Sequence, residues 1–175
     1  MIGPDIHRRI RDLDEDAYLT FDTDMRFRLI IVGGGALLLL NAIARATVDI
    51  DVLQADRQLL HLMEAYDMNA QVNAYENNFP YNYEDRLVLI WSGRRIDFYT
   101  ASLEDIVISK LCAGRPQDLE DLKGAAKHID WEKLEYLAKA DDEIKASALN
   151  DHGYSRFLQN YEEYMEGYRP CRDSP

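Results

Sequence analysis

Apolar residues recur along this chain with two different periods, and the switches between them mark out its elements. Over residues 4–17, Ile6, Ile10, Leu13 and Ala17 fall three or four apart between charges, the spacing of an amphipathic helix. Residues 27–32 form an apolar run that predicts a first strand, stopped by Gly33, Gly34 and Gly35. Residues 36–45 are apolar enough to predict a buried helix. The chain then returns in a second strand, with Thr47, Asp49 and Asp51 on one face and Val48, Ile50 and Val52 on the other.

Further along, Leu59, Leu60, Leu62, Met63 and Tyr66 give residues 57–67 a helical core stripe, within which His61 has no assigned role. Residues 68–85 are rich in Asn and Tyr and predict an irregular connection, with a lid or base-stacking surface as the functional alternative. Residues 86–91 and 94–99 read as a hairpin turned at Ser92-Gly93, with Ile96 and Phe98 on one face and Arg95, Asp97 and Tyr99 on the other. Ser102 and Asp105 form a capping box opening a helix that carries Leu103, Ile106, Val107, Lys110 and Leu111. Gly114 stops it and Pro116 starts the next, leaving Arg115 in the corner. Helices are expected at 116–128, 131–140 and 154–167, the last with a stripe of Tyr154, Phe157, Leu158, Tyr161 and Tyr164, ahead of a frayed tail at 169–175.

These elements predict an α+β (mixed α/β) fold: a small mixed sheet flanked by helices. One domain over residues 1–175 is expected, with its core at about 25–125 and a helical extension at about 126–168. The hydrophobic fraction of 47% is that of a folded chain. Cys112 and Cys171 make neither a disulfide framework nor a zinc pattern, which suits a reducing cytoplasm. The charged first eighteen residues and the glycine-broken apolar run at 29–40 argue against secretion and against a membrane span. A net charge of -12 opposes avid, nonspecific DNA binding. It leaves open a local basic patch from Arg86, Arg94, Arg95, Lys110 and Arg115, or an acidic surface for a basic protein partner.

Candidate chemistry concentrates at residues 30–53, IIVGGGALLLLNAIARATVDIDVL. A glycine turn at a helix start lets backbone N–H groups approach phosphate, a role open to Gly33, Gly34 and Gly35; the alternative is a tight turn without ligand. Nucleotidyl transfer needs Mg²⁺ or Mn²⁺ between carboxylates and triphosphate oxygens, and Asp49 and Asp51 supply two carboxylates unless they only solvate a sheet face. Asp97 is the candidate third carboxylate; the alternative is a surface pair with Arg95. Lys110 follows on the next helix, a long cation placed to reach a triphosphate.

The order of these motifs resembles the nucleotidyltransferase fold, in which a glycine pair opens a helix, a D-x-D strand follows, and a later strand brings a third acid. Within that superfamily the chain resembles the AbiEii/AbiGii-type toxin nucleotidyltransferases of bacterial phage defence, through GGGALLLLNAIARATVDIDVL and KLCAGRPQDLEDL, over roughly residues 28–125. The resemblance implies metal ligation by Asp49, Asp51 and Asp97, with Asp97 also acting as general base. Triphosphate binding would draw on Gly33 to Gly35, Thr47, Lys110, Arg115, Asp118 and Asp121. Asp118 and Asp121 match the family's aspartates one helical turn apart; helix-dipole stabilisation is their bland alternative. Where the family commonly carries a further arginine before the first aspartate, this chain has Gln117. Relatives act as growth-inhibiting toxins and some modify transfer RNA, so an RNA or protein hydroxyl is the expected acceptor and an antitoxin protein the expected partner. A non-catalytic interaction protein on the same fold is the competing expectation.

Overall fold

The computed structural model describes residues 3–45, 47–70, 78–140 and 151–171. Helix α1 (Gly3–Thr20) leads into β1 (Phe27–Val32), α2 (Gly33–Leu39) and β2 (Ile50–Ala55). A 3-10 turn (Arg57–Leu59), α3 (Leu60–Glu64) and the two-residue β3 (Met68–Asn69) follow, then a 3-10 turn (Tyr83–Arg86), β4 (Val88–Ser92) and β5 (Ile96–Thr100). The chain closes with α4 (Leu103–Ala113), α5 (Pro116–Ala125), α6 (Trp131–Lys139) and α7 (Asp151–Tyr168). Mixed α+β architecture is therefore what these residues adopt. Among the described residues, no helix is long and apolar enough to cross a membrane.

The sheet runs β3-β2-β1-β5-β4. β1 pairs antiparallel with β2, Val32 opposite Asp51, and parallel with β5, Arg28 opposite Asp97. Alternation explains the core: Ile96 and Phe98 are fully buried, as are Leu29, Ile31 and the α1 stripe of Ile6, Leu13 and Ala17. Asp14 on α1 fixes the hairpin turn, its buried carboxylate accepting the backbone N–H groups of Arg94 (2.7 Å), Arg95 (2.8 Å) and Ile96 (2.8 Å). A side chain at Gly93 would collide with that carboxylate, with a Cβ only 2.4 Å from it.

Two boundaries beside the glycine turn differ from the sequence pattern. α2 starts at Gly33 and stops at Leu39 instead of running over 36–45, because Asn41 takes a left-handed conformation (φ 56°). The N–H of Ala42 then bonds to Leu37 O (2.8 Å) and that of Asn41 to Leu38 O (3.0 Å), a Schellman termination that propensity alone does not reveal. β2 begins at Ile50, so Thr47 and Asp49 precede the strand, and Val48, expected to face the core, is 72% exposed. The aromatic stripe of α7 is core: Phe157, Tyr161 and Tyr164 are buried, and Tyr164 Oη donates to Leu122 O (2.7 Å). Part of the expected 68–85 connection, at 71–77, lies outside the described residues, as do the last four of the tail.

Candidate active site

Where β1 runs into α2, the backbone turns sharply through Gly33, whose φ of +65° suits glycine. A Cβ here would lie 2.7 Å from Asp51 Oδ2, because Asp51 stands opposite Val32 on β2. Conformation and contact thus both require glycine at 33, and both bring the Asp51 carboxylate against the turn. Gly34 faces a different neighbourhood, its missing Cβ 3.3 Å from Arg45 Nη2 and 3.5 Å from Thr47 Oγ1. A Cβ at Gly35 would point into the core, toward Ile6, Ile31 and Ile50, so packing favours glycine there.

A cleft of about 280 Å³ opens beside Gly33 and Asp51 and is bounded across from them by Ser109 and Lys110 of α4 and by Arg115. Local signals build that far wall. Ser102 Oγ accepts the N–H of Asp105 to start α4, Gly114 ends it with φ +61°, and Pro116 begins α5. Arg115 is thereby held at the corner next to the cleft. Asp49 lies exposed just before β2, and Thr47 Oγ1 donates to its carbonyl (3.1 Å). Burial, the largest effect, and the Asp49 charge push the Asp51 carboxyl above its ordinary value, against the opposing pull of Arg115 and Lys110. A carboxylate whose charge is disfavoured in this way suits a cation bound next to it, and the hard oxygens of Asp49 and Asp51 are the donors that Mg²⁺ takes.

Behind the cleft lies a buried charge network. Lys110 Nζ, with a side chain only 7% exposed, pairs with Asp118 Oδ1 (2.9 Å) and Asp121 Oδ2 (2.7 Å), both wholly buried. Asp118 also accepts Arg115 Nε (2.9 Å), and Asp121 accepts Arg45 Nη2 (2.8 Å) along with its Nε. Burial pushes both aspartates up. The hydrogen bonds from Arg115 and Lys110 to Asp118, and from Arg45 and Lys110 to Asp121, outweigh it and hold both below the usual carboxylate range. Asp118 and Asp121 therefore bind the cations of the site and do not themselves face a nucleotide. Capping is only part of their work: Asp118 accepts the backbone N–H of Arg115 (3.2 Å) as well as the side chains.

Asp97 does not join Asp49 and Asp51. Its residue lies beside Arg28, four positions along β1 from the Val32–Asp51 pair, about 13 Å at strand rise. There it accepts Arg26 Nη2 (2.5 Å) and Ser92 Oγ (2.5 Å), and the Arg26 hydrogen bond, the largest cause, lowers its pKa below the ordinary carboxylate value. Among the described residues, no group of three or more His, Cys, Asp or Glu is arranged to hold a metal. The surface-pair alternative for Asp97 fits in kind, with Arg26 and not Arg95 as partner. Asp97→Asn is accordingly expected to lower the melting temperature slightly and to leave triphosphate binding unchanged in a fluorescence displacement assay.

Of the other arginines, Arg86 forms a bidentate pair with Asp105, and Arg94 reaches Glu15 and lies 3.6 Å over the Tyr18 ring, with Arg95 5.2 Å from the same ring. Arg45 is the site cation that sequence periodicity passes over, although Arg45, Thr47, Asp49 and Asp51 do recur at a spacing of two.

Neither a curated protein nor a solved structure matches the chain. A family described as nucleotidyltransferase of unknown function (DUF6036) matches residues 8–169. With a glycine turn against a D-x-D carboxylate, cations across the cleft and a match over nearly its whole length, the chain belongs to this nucleotidyltransferase family.

Proposed function

We propose that this protein is a metal-dependent nucleotidyltransferase that moves a nucleotide from a nucleoside triphosphate to a hydroxyl of RNA, such as a transfer RNA, or of a protein. The observation that carries the reading is the seating of Asp51 against Gly33, directly across a cleft from Lys110 and Arg115. Asp49 and Asp51 would hold Mg²⁺ or Mn²⁺, which would supply positive charge against the triphosphate. Lys110 and Arg115 stand on the opposite wall, fixed by Asp118, so they are already oriented when a phosphate arrives. The acceptor oxygen attacks the α-phosphorus, the bond to the bridging oxygen breaks, and pyrophosphate leaves with the electron pair while the hydroxyl proton passes to solvent.

Resemblance to the AbiEii-type proteins supports a cytoplasmic toxin of a toxin-antitoxin or phage-defence system, restrained by a cognate antitoxin. Incubation with labelled nucleoside triphosphates, Mg²⁺ and total RNA is expected to label an RNA species, and Asp49→Ala to abolish the label. The placement of Asp97 away from Asp51 favours a second reading, a nucleotide-binding interaction protein without transfer activity. Triphosphate binding with no label on RNA or protein would support that reading and sink the first.

A further inference from the structure

Lys110 stands at the centre of a chain of five charges, with a fully buried aspartate on either side and a half-exposed arginine beyond each: Arg115 past Asp118, and Arg45 past Asp121. The arrangement carries three positive and two negative charges. Asp121 would already be matched by Lys110 at 2.7 Å, so neutralising it does not by itself require a second cation. Arg45 nevertheless grips both carboxylate oxygens of Asp121 through Nε and Nη2, while its side chain stays 42% exposed. A two-point grip of this kind fixes the plane of a guanidinium as well as its position.

That plane is fixed beside the glycine turn. Arg45 Nη2 lies 3.3 Å from the place a Gly34 Cβ would occupy, with Thr47 Oγ1 3.5 Å from the same place, and Gly33 next to it bears on Asp51. On the proposed reading the reacting α-phosphate would lie by Asp49 and Asp51, the residues that would hold the cation. Arg115 lines the cleft near Asp51, whereas Arg45 stands one residue further along the turn.

We propose that Arg45 binds the β- and γ-phosphates of the triphosphate, and that Asp121 is its positioning residue. This rests on the reading of the site as a nucleotidyltransferase centre. When the bond between the α-phosphorus and the bridging oxygen breaks, negative charge grows on the departing pyrophosphate, and Arg45 offsets it. Arg115 and Lys110 serve the α-phosphate side, so the two ends of the charge network divide the triphosphate between them.

The test is competition of ribonucleoside triphosphates and monophosphates, with Mg²⁺, against a fluorescent triphosphate analogue. Arg45→Gln is expected to lose about tenfold or more in triphosphate affinity, the range of a hydrogen bond to a charged group, with monophosphate affinity unchanged. Arg45→Lys keeps the charge without the fork and should fall between. Asp121→Asn, measured where circular dichroism shows it folded, should narrow the preference for triphosphate in the same way. Arg45→Gln binding triphosphate as tightly as the wild type overturns the assignment and leaves the proposed function standing. A wild type that binds no triphosphate overturns the proposed function and this inference with it.

Discussion

Lys110→Met is expected to destabilise the protein by about 3–5 kcal/mol at neutral pH, the cost of removing one partner from a buried ion pair. Asp118 and Asp121 are wholly buried, and Lys110 bonds both. Methionine keeps the volume but leaves two carboxylates to Arg45 and Arg115 alone, so the lower end of that range is expected. The pH dependence identifies the cause. In the wild type both aspartates are held below their ordinary value, so their contribution is complete above pH 4 or so and is lost only as pH falls through the lowered values. In the variant burial dominates and their pKa values rise. The penalty is then full at neutral pH and fades on acidification as the carboxylates take up protons. Urea unfolding at pH 7 and at about pH 4.5 should show the gap between the two proteins narrowing. A gap under about 1 kcal/mol at pH 7 would mean that the network is not closed in solution.

Asp51→Asn is expected to behave in the opposite sense, with loss of function and no loss of fold. Its carboxyl is raised by burial first and by Asp49 next, so its charged form is disfavoured in the folded protein. That penalty is absent below the unfolded value near pH 4 and is complete above the raised folded value. Asparagine removes it, and the melting temperature at pH 7 should stay level or rise. Transfer should fall on the order of 10³-fold, since the variant loses a charge aimed at the reacting phosphate. Mg²⁺ with a triphosphate should raise the melting temperature of the wild type, because only the folded site binds it, and leave that of Asp51→Asn unmoved. Transfer at wild-type rate by the folded variant would remove Asp51 from the chemistry.

What the sequence discloses here is whatever neighbouring residues decide. The capping Ser102, the left-handed Gly114, Pro116 at the head of α5 and the stripe of α1 are local signals, and each lies where the pattern puts it. Asp97 shows the limit. A period of two fixes which face of a strand a residue occupies, and Asp97 does share the face of Asp51. It says nothing of how far along the sheet the residue lies, because that height is set by pairing with β1. Arg45 escaped for a related reason: its partner Asp121 is 76 residues away.

The parallel pairing of β1 with β5 also orders events in time. β4 and β5 form a hairpin from adjacent sequence, whereas β1 must wait for a strand more than sixty residues downstream. Closing so long a loop costs entropy before any contact offsets it, so this edge of the sheet should be among the last to settle. The charge network closes later still along the chain, since it needs Asp121. During synthesis the glycine turn and Asp51 emerge well before the helices that supply Lys110 and Arg115. A nascent chain therefore carries Gly33 and Asp51 before the residues that line the far side of the cleft, and that cleft is complete only when Arg115 is fixed at the head of α5.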